Sequence, residues 1–521
     1  MLYNQYRIYI MFIKRGIFVI AKVIGYSLTG LIGVPVDVEV DVNNGLPAFD
    51  IVGLADTSVK EAKERVRSAI KNSGFNVPTK RITANFAPAD LKKEGSLFDL
   101  PLAIGVLIAT EQLVIDKCEY VIIGELSLDG TVRRVNGVLP IIISAIKDGF
   151  NKFIIPKGNE KEASYIEGAT CYSFNTLREV VEHLSGLNET KPVEKRSYNI
   201  EDKERSYDSD LSFIKGQKVA KRALEVAVSG GHNILFVGAP GTGKTMLAKC
   251  IPTIMPDMTF SEALETTKIH SVSGFIKENE GIIYNRPFRS PHHTATTVSM
   301  TGGGSSIRPG EISLAHNGVL FLDEMPEYSR STLEALRQPL EDGEISISRA
   351  SSRVTYPANF MLCGSMNPCP CGNYGSETKE CRCSPSQIAK YKAKISGPLL
   401  DRIDIQIHVD EVKYGELITD EKAETSAEVR KRVNRTRLIQ KERFKNDGIN
   451  TNSDMGEKQI KKYCKLSDEC ETILKNAYTS LGLSPRARSR IIKVARTIAD
   501  MELYDEIKPQ HVLEAIAYRQ T

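Results

Sequence analysis

The 521-residue chain has little net charge, because 69 Lys and Arg against 65 Asp and Glu leave only +4. Any contact with nucleic acid must therefore come from local basic patches, not from a global field. It also has no apolar run of bilayer length. The first 22 residues come nearest, with Ile8-Tyr-Ile-Met-Phe-Ile13 and Ile17-Phe-Val-Ile20, but Lys14 and Arg15 split them and no small-residue cleavage site follows. Residues 1–22 read as a nonessential extension translated from an upstream start, and no membrane partner is expected. A disulfide framework is missing too: four of the ten cysteines fall within residues 369–383 and the rest are scattered, which fits a reducing cytoplasm. There is no internal repeat and no low-complexity tract. What remains is a globular chain, 41% hydrophobic, long enough for two to four domains.

What is present is a phosphate loop. Gly238-Ala239-Pro240-Gly241-Thr242-Gly243-Lys244-Thr245 follows the apolar run Ile234-Leu-Phe-Val237 and precedes the helix-like Met246-Leu-Ala-Lys249, the strand, loop and helix order that such a loop requires. Its glycines let consecutive backbone N–H groups converge on phosphates, Lys244 adds a point charge at the β/γ oxygens, and the Thr245 hydroxyl can hold Mg²⁺. About eighty residues on, Gly318-Val-Leu-Phe-Leu-Asp323-Glu324 has the form of a buried strand ending in two carboxylates, a Walker B pattern. Asp323 would hold Mg²⁺ through its water shell and Glu324 would polarise the attacking water, so ATP is hydrolysed and not merely bound.

The chain divides around these motifs. From Val23 to about residue 187, strand-like runs such as Val36-Asp-Val-Glu-Val-Asp-Val42 alternate with helical ones such as Ser58 to Asn72, giving an α/β domain. Residues 188–210 are polar and charged, as expected of an exposed linker. The ATPase core is expected over 211–411, and an all-helical lid over 412–521, with helices at Ala427–Phe444, Lys458–Leu481, Ser484–Met501 and Pro509–Arg519.

Three further signals complete an AAA+ pattern. The strand Phe360-Met-Leu-Cys-Gly-Ser-Met366 ends at Asn367, a sensor 1 position whose polar side chain can orient the lytic water. Gly397-Pro-Leu-Leu-Asp-Arg402-Ile-Asp404 resembles the segment in which magnesium chelatases and MCM helicases carry an arginine finger, so Arg402 would reach a neighbouring subunit's nucleotide in a ring. Leu483-Ser-Pro-Arg486-Ala487 resembles a sensor 2, with a second guanidinium near the γ-phosphate.

Phe288-Arg-Ser-Pro-His-His-Thr294, the run Arg308-Pro-Gly-Glu-Ile-Ser-Leu-Ala-His-Asn-Gly-Val-Leu-Phe-Leu-Asp-Glu324 and Asn367-Pro-Cys-Pro-Cys-Gly-Asn-Tyr-Gly375 resemble the magnesium-chelatase-like ATPases of the YifB/ComM family, from about Val23 to the end. That resemblance implies a hexameric ATPase driving DNA branch migration during natural transformation. Gly124-Glu-Leu-Ser-Leu-Asp-Gly-Thr-Val-Arg-Arg-Val135 and Ala87-Pro-Ala-Asp-Leu-Lys-Lys-Glu-Gly95 are similar to the Lon-protease fold, a ribosomal-S5-like α/β domain. Its catalytic dyad is not intact: the serine is shifted to Ser96, and Leu139 stands where Lon carries its lysine. Without that base, peptidase chemistry is not expected, and the domain reads as a scaffold for assembly or DNA.

Cys369, Cys371, Cys381 and Cys383 give four thiols on a polar loop just after sensor 1. Four thiolates can close a structural Zn²⁺ site, though the C-x-C spacing leaves plain reduced thiols equally open. The segment Glu344-Ile-Ser-Ile-Ser-Arg349-Ala-Ser-Ser-Arg353-Val-Thr-Tyr356 reads as a β-hairpin similar to the pre-sensor-1 hairpin of MCM helicases, where Arg349 and Arg353 would track DNA phosphates. Residues 430–445 carry eight basic side chains against one acid, Glu442, and read first as a solvated helix face, with DNA second. The leading reading is an ATP-driven hexamer that remodels single-stranded or branched DNA; the alternatives are the ATPase subunit of a metal chelatase and, disfavoured by Leu139, a regulatory protease or chaperone.

Overall fold

The alternation Val36-Asp-Val-Glu-Val-Asp-Val42 puts every second side chain on one face, and Val36, Val38 and Val40 are fully buried there. They lie in a computed structural model that describes residues 20–519, apart from 55, 92, 94, 116–117, 200–207, 278–279, 305–306, 350–351, 377–378, 413–414 and 416–422. Nearly all of the expected N-terminal extension, the middle of the expected linker and part of the start of the lid are thus outside the described residues.

The chain forms two compact units. The first runs to Asn199 and includes Ala263–Ile283. Its seven-stranded mixed sheet has the order Ala48–Val52, Arg81–Ala87, Ile32–Asn43, Ala21–Thr29, Val121–Ile122, Lys152–Pro156 and Thr170–Phe174. Ala21–Thr29 pairs antiparallel with Ile32–Asn43, placing Val23 opposite Val38, while the last three strands run parallel. Leu139, in the helix Val138–Lys147, is a core residue, and the Ser96 hydroxyl donates to Glu125. Residues from the expected linker and ATPase core belong to this unit: Val193 N donates to Cys171 O at 2.7 Å, and Gly137 N to Ser271 O at 3.1 Å. From Ala263 onward the helix Phe260–Ser273 belongs to this unit, although the sequence places it inside the expected ATPase core.

The second unit comprises Ile200–Glu262 and Tyr284–Thr521. Its five-stranded sheet has the order Phe288–Arg289, Val319–Leu322, Met361–Met366, Ile234–Val237 and Ile405–His408, all parallel. The central strands are buried along their whole length and, Ser365 apart, carry no polar side chain, as expected of a sheet covered on both faces. The α-helices described in the C-terminal part are Ser426–Arg443, Glu457–Tyr463, Asp468–Leu481, Pro485–Met501 and Pro509–Ala517. The single helix expected over Lys458–Leu481 is two, because Ser467 caps a new start by accepting from Cys470 N.

Candidate nucleotide site

Parallel register brings three loops to one edge of the second unit's sheet. Val237 pairs with Met366, and Leu322 with Gly364, so the segments that follow these strands emerge together at their carboxyl ends. Those segments carry the phosphate loop, Asp323-Glu324 and Asn367. Gly238 N donates to Met366 O at 3.2 Å, tying the first loop to the third.

Lys244 is 8% exposed, and its Nζ donates to Gly238 O at 2.7 Å, Ala239 O at 2.8 Å and Asn367 Oδ1 at 3.4 Å. Burial draws its pKa below the usual lysine range, while Asp323 and Glu324 pull the other way. Thr245 Oγ1 donates to Asp323 Oδ2 at 3.0 Å, so the two oxygen ligands expected for Mg²⁺ are adjacent. The loop fits a polyphosphate. Gly241 and Gly243 have φ of 83° and 89°, and a Cβ added at either would meet nothing within 4 Å, so this face is open. The helix Lys244–Ile254 begins there without a side-chain cap, leaving its first N–H groups for an anion.

Glu324 adopts φ 49° and ψ 48°, an unusual conformation for a non-glycine residue. Its N–H donates to Ser365 Oγ at 3.2 Å, and Ser365 Oγ in turn donates to Asp323. This turn leaves the Glu324 carboxylate exposed, 3.9 Å from His293 Nδ1. Sequence reasoning missed Ser365, and it also missed Gln217, whose Nε2 donates to Thr242 O at 3.3 Å and Asp410 O at 2.7 Å. The approach of His293 to Glu324 is likewise new, although His293 stands within the Phe288–Thr294 motif.

The two arginines both act on Glu341. Arg402 donates from Nη1 to Pro398 O at 2.8 Å and from Nη2 to Glu341. Arg486 is exposed in the first turn of Pro485–Met501, close enough to help lower the Glu341 pKa.

The four cysteine sulfurs all lie within 4.8 Å of one another. Cys369 to Cys371 is 3.4 Å, and Cys381 is 3.7 Å from both. Backbone N–H groups of Asn373 and Arg382 stabilise the Cys371 thiolate, pulling its pKa down to about 6. This group could hold a metal ion.

The expected hairpin consists of Glu344–Arg349 and Ser352–Pro357, with Ser348 opposite Arg353 and Arg349 opposite Ser352. Arg353 is exposed; the side chain of Arg349 is outside the described residues. Buried Tyr356 anchors the stem by donating to Ile307 O at 2.7 Å. The solvated face expected at 430–445 holds for Lys431, Arg435, Lys441 and Lys445, which are exposed, but not for the other arginines. Arg432 pairs with Glu225 and Glu424, Arg437 donates to Val228 O at 2.9 Å, and Arg443 pairs with buried Asp500. These arginines face the body of the unit because its carbonyls and carboxylates need donors, which a count of charges along the helix cannot reveal.

A phosphate loop, an acidic strand end and a polar strand end on the carboxyl edge of one parallel sheet define a P-loop nucleotide-binding architecture of the AAA+ type. Family models agree: "Magnesium chelatase, subunit ChlI" matches residues 210–417, "Subunit ChlI of Mg-chelatase" residues 38–159 and "Magnesium chelatase, subunit ChlI C-terminal" residues 423–519. Competence protein ComM of Haemophilus influenzae is 46% identical over 493 residues, covering 93% of this chain and 94% of that protein. The uncharacterized protein YifB of Escherichia coli is 46% identical over 490 residues, with the same coverage. Lon protease 2 of Bacillus subtilis is 29% identical over 143 residues, 27% of this chain and 25% of the protease, so the likeness to Lon is partial. The chain belongs to the ComM/YifB family of magnesium-chelatase-like AAA+ ATPases. No helix among the described residues is long and apolar enough to cross a membrane.

Proposed function

We propose that this protein hydrolyses ATP as a hexameric ring and uses the energy to move along and remodel DNA, as in branch migration. The observation that carries the ATPase part is the convergence of Lys244, Thr245, Asp323 and Asn367 at one sheet edge, with Thr245 Oγ1 3.0 Å from Asp323 Oδ2. Lys244 and the loop N–H groups would neutralise the phosphates, while Thr245 and Asp323 would hold Mg²⁺, which supplies charge stabilisation to the transferring phosphoryl group. Glu324 would accept a hydrogen bond from the attacking water, and Asn367 would orient that water against the γ-phosphate. Arg402 would serve a neighbouring subunit's nucleotide, which requires a ring, and Arg486 would place a second guanidinium near the γ-phosphate.

The DNA part is supported by the kinship with a protein named for competence and by the hairpin that carries exposed Arg353. Arg349 and Arg353 of each subunit would track the phosphate backbone without reading bases. The four thiols are assigned to structural zinc. At a Zn–S distance of about 2.3 Å a tetrahedral site has sulfur separations of about 3.8 Å, close to the 3.4 and 3.7 Å found among Cys369, Cys371 and Cys381, with Cys383 within 4.8 Å of each.

The test is the ATPase rate of the full chain with and without single-stranded DNA and a four-way junction. Stimulation by either supports the motor. The chelatase family models favour a second reading, a chelatase ATPase subunit, and no DNA binding with any nucleotide would move the assignment there.

A further inference from the structure

The cysteine loop has almost nothing apolar to hold it in shape. Among the described residues of 370–383 only Gly372 is buried, and it has no side chain. The described cross-links of the loop include the sulfur cluster, Gly372 N donating to Cys369 O at 3.0 Å, Tyr374 N to Cys369 Sγ at 3.3 Å and Ser376 Oγ to Glu411 Oε1 at 2.9 Å, and most of these pass through the cysteines. Yet this loop is pressed against the nucleotide site. Gly372 has φ 80°, and a Cβ added to it would lie 2.6 Å from Pro240 Cδ and 2.8 Å from Cγ, so its backbone rests directly on the phosphate-loop proline. At its other end, fully buried Cys369 lies two residues after Asn367, whose Oδ1 is 3.4 Å from Lys244 Nζ. One cross-linked segment therefore meets the phosphate loop at two places, Pro240 and Lys244.

We propose that a zinc ion held by Cys369, Cys371, Cys381 and Cys383 clasps this loop against Pro240 and thereby sets the nucleotide affinity of the phosphate loop. The proposal rests on the reading of the thiols as a zinc site and of residues 238–245 as an ATP site. The metal takes no part in hydrolysis. It replaces the missing hydrophobic packing of the loop, and the loop in turn forms a wall that keeps Pro240 and Asn367 in register. Losing the metal would release Gly372 from Pro240 while leaving the sheet and its core intact, because only Cys369 of the four ligands is buried.

The experiment uses the purified full chain, with zinc measured by atomic emission and affinity measured by fluorescence titration of mant-ADP with Mg²⁺. One zinc per chain is expected. Stripping it with a mercurial and a chelator, or making Cys381→Ser/Cys383→Ser, should weaken mant-ADP binding about tenfold or more by misplacing the loop, with far-ultraviolet circular dichroism unchanged. Gly372→Ala should keep its zinc and still lose affinity, since the new methyl collides with Pro240. Wild-type affinity in both the zinc-free protein and Gly372→Ala would overturn the clasp while leaving the zinc and ATP sites standing. Wild-type protein purified without zinc would overturn the metal assignment, and wild-type protein that binds no mant-ADP would overturn the nucleotide site. If the serine variant aggregates, Gly372→Ala decides: zinc retained with weaker binding supports the clasp, and unchanged binding refutes it.

Discussion

Arg402 and Glu341 form an ion pair with its two members in opposite surroundings: the arginine side chain is 9% exposed and the glutamate 59%. Hydrogen bonding and charge from Arg402 hold the Glu341 carboxyl below its usual range, and Arg486 adds to the pull. In a ring, a neighbour's γ-phosphate would compete with Glu341 for this guanidinium. Arg402→Ala subunits mixed with Lys244→Ala subunits should therefore recover part of the ATPase rate, because a mixed ring contains some interfaces with both an intact phosphate loop and an intact finger. Mixed rings with no recovery at any ratio would leave Arg402 as a structural charge.

Lys244→Ala should abolish nucleotide binding. Glu324→Gln should bind ATP normally and hydrolyse it about 100-fold more slowly or worse, because one residue contacts phosphate and the other acts on water. Equilibrium binding and single-turnover hydrolysis separate the two effects. A hydrolysis rate near wild type in Glu324→Gln would remove Glu324 from its proposed role.

Replacing Arg349 and Arg353 by alanine should weaken DNA binding for all sequences alike and flatten its dependence on log salt, by about 0.9 for each duplex phosphate no longer neutralised. DNA-independent ATP hydrolysis should be unchanged. Lys431→Ala/Lys441→Ala, on the exposed side of the basic helix, should leave DNA affinity as it was. An unchanged salt slope in the arginine variant, with weaker binding in the lysine variant, would reverse the assignment of the two surfaces.

Asp404 couples stability to pH. Burial pushes its carboxyl up, but Arg490 and His232 outweigh burial and hold it well below the carboxylate range; His232 Nδ1 is 3.2 Å from Oδ2. A depressed folded-state pKa contributes stability that is present above the unfolded value of about 3.9 and is lost as pH falls toward the folded value. Asp404→Asn should thus cost about 3–5 kcal/mol near neutrality, by leaving Arg490 without its carboxylate partner, and the gap from wild type should narrow below about pH 4. Urea denaturation at pH 7 and pH 3.5 measures this, and a gap independent of pH would assign the loss to packing alone.

The nucleotide motifs were legible because their chemistry is written in contiguous residues: glycines beside Lys244, and an apolar strand before Asp323. Ser365 was not, since its role depends on parallel register bringing Gly364 opposite Leu322. Gln217 reaches Thr242 from 25 residues away, an interaction with no local signature. The basic helix misled because helical spacing gives the positions of Arg432, Arg437 and Arg443 but not the acceptors that turn them inward. Residues 263–283 misled similarly: buried Ile269, Ile276 and Ile282 declare a core without saying whose.

That last segment changes how the chain can be cut. The polypeptide passes between its units at 199/200, 262/263 and 283/284, so the 199/200 junction is one of three crossings. A fragment ending at that junction would lack Ala263–Ile283 and be left with an open seam, and a fragment beginning after it would carry a helix evolved for a core it no longer has. Dividing the chain at the 199/200 junction should therefore yield two pieces that stay together without a covalent bond, and each half, made alone, should be insoluble until the other is supplied. Evolution faced the same constraint: with part of the first unit encoded inside the second, neither could be lost or exchanged by a single recombination event at the linker.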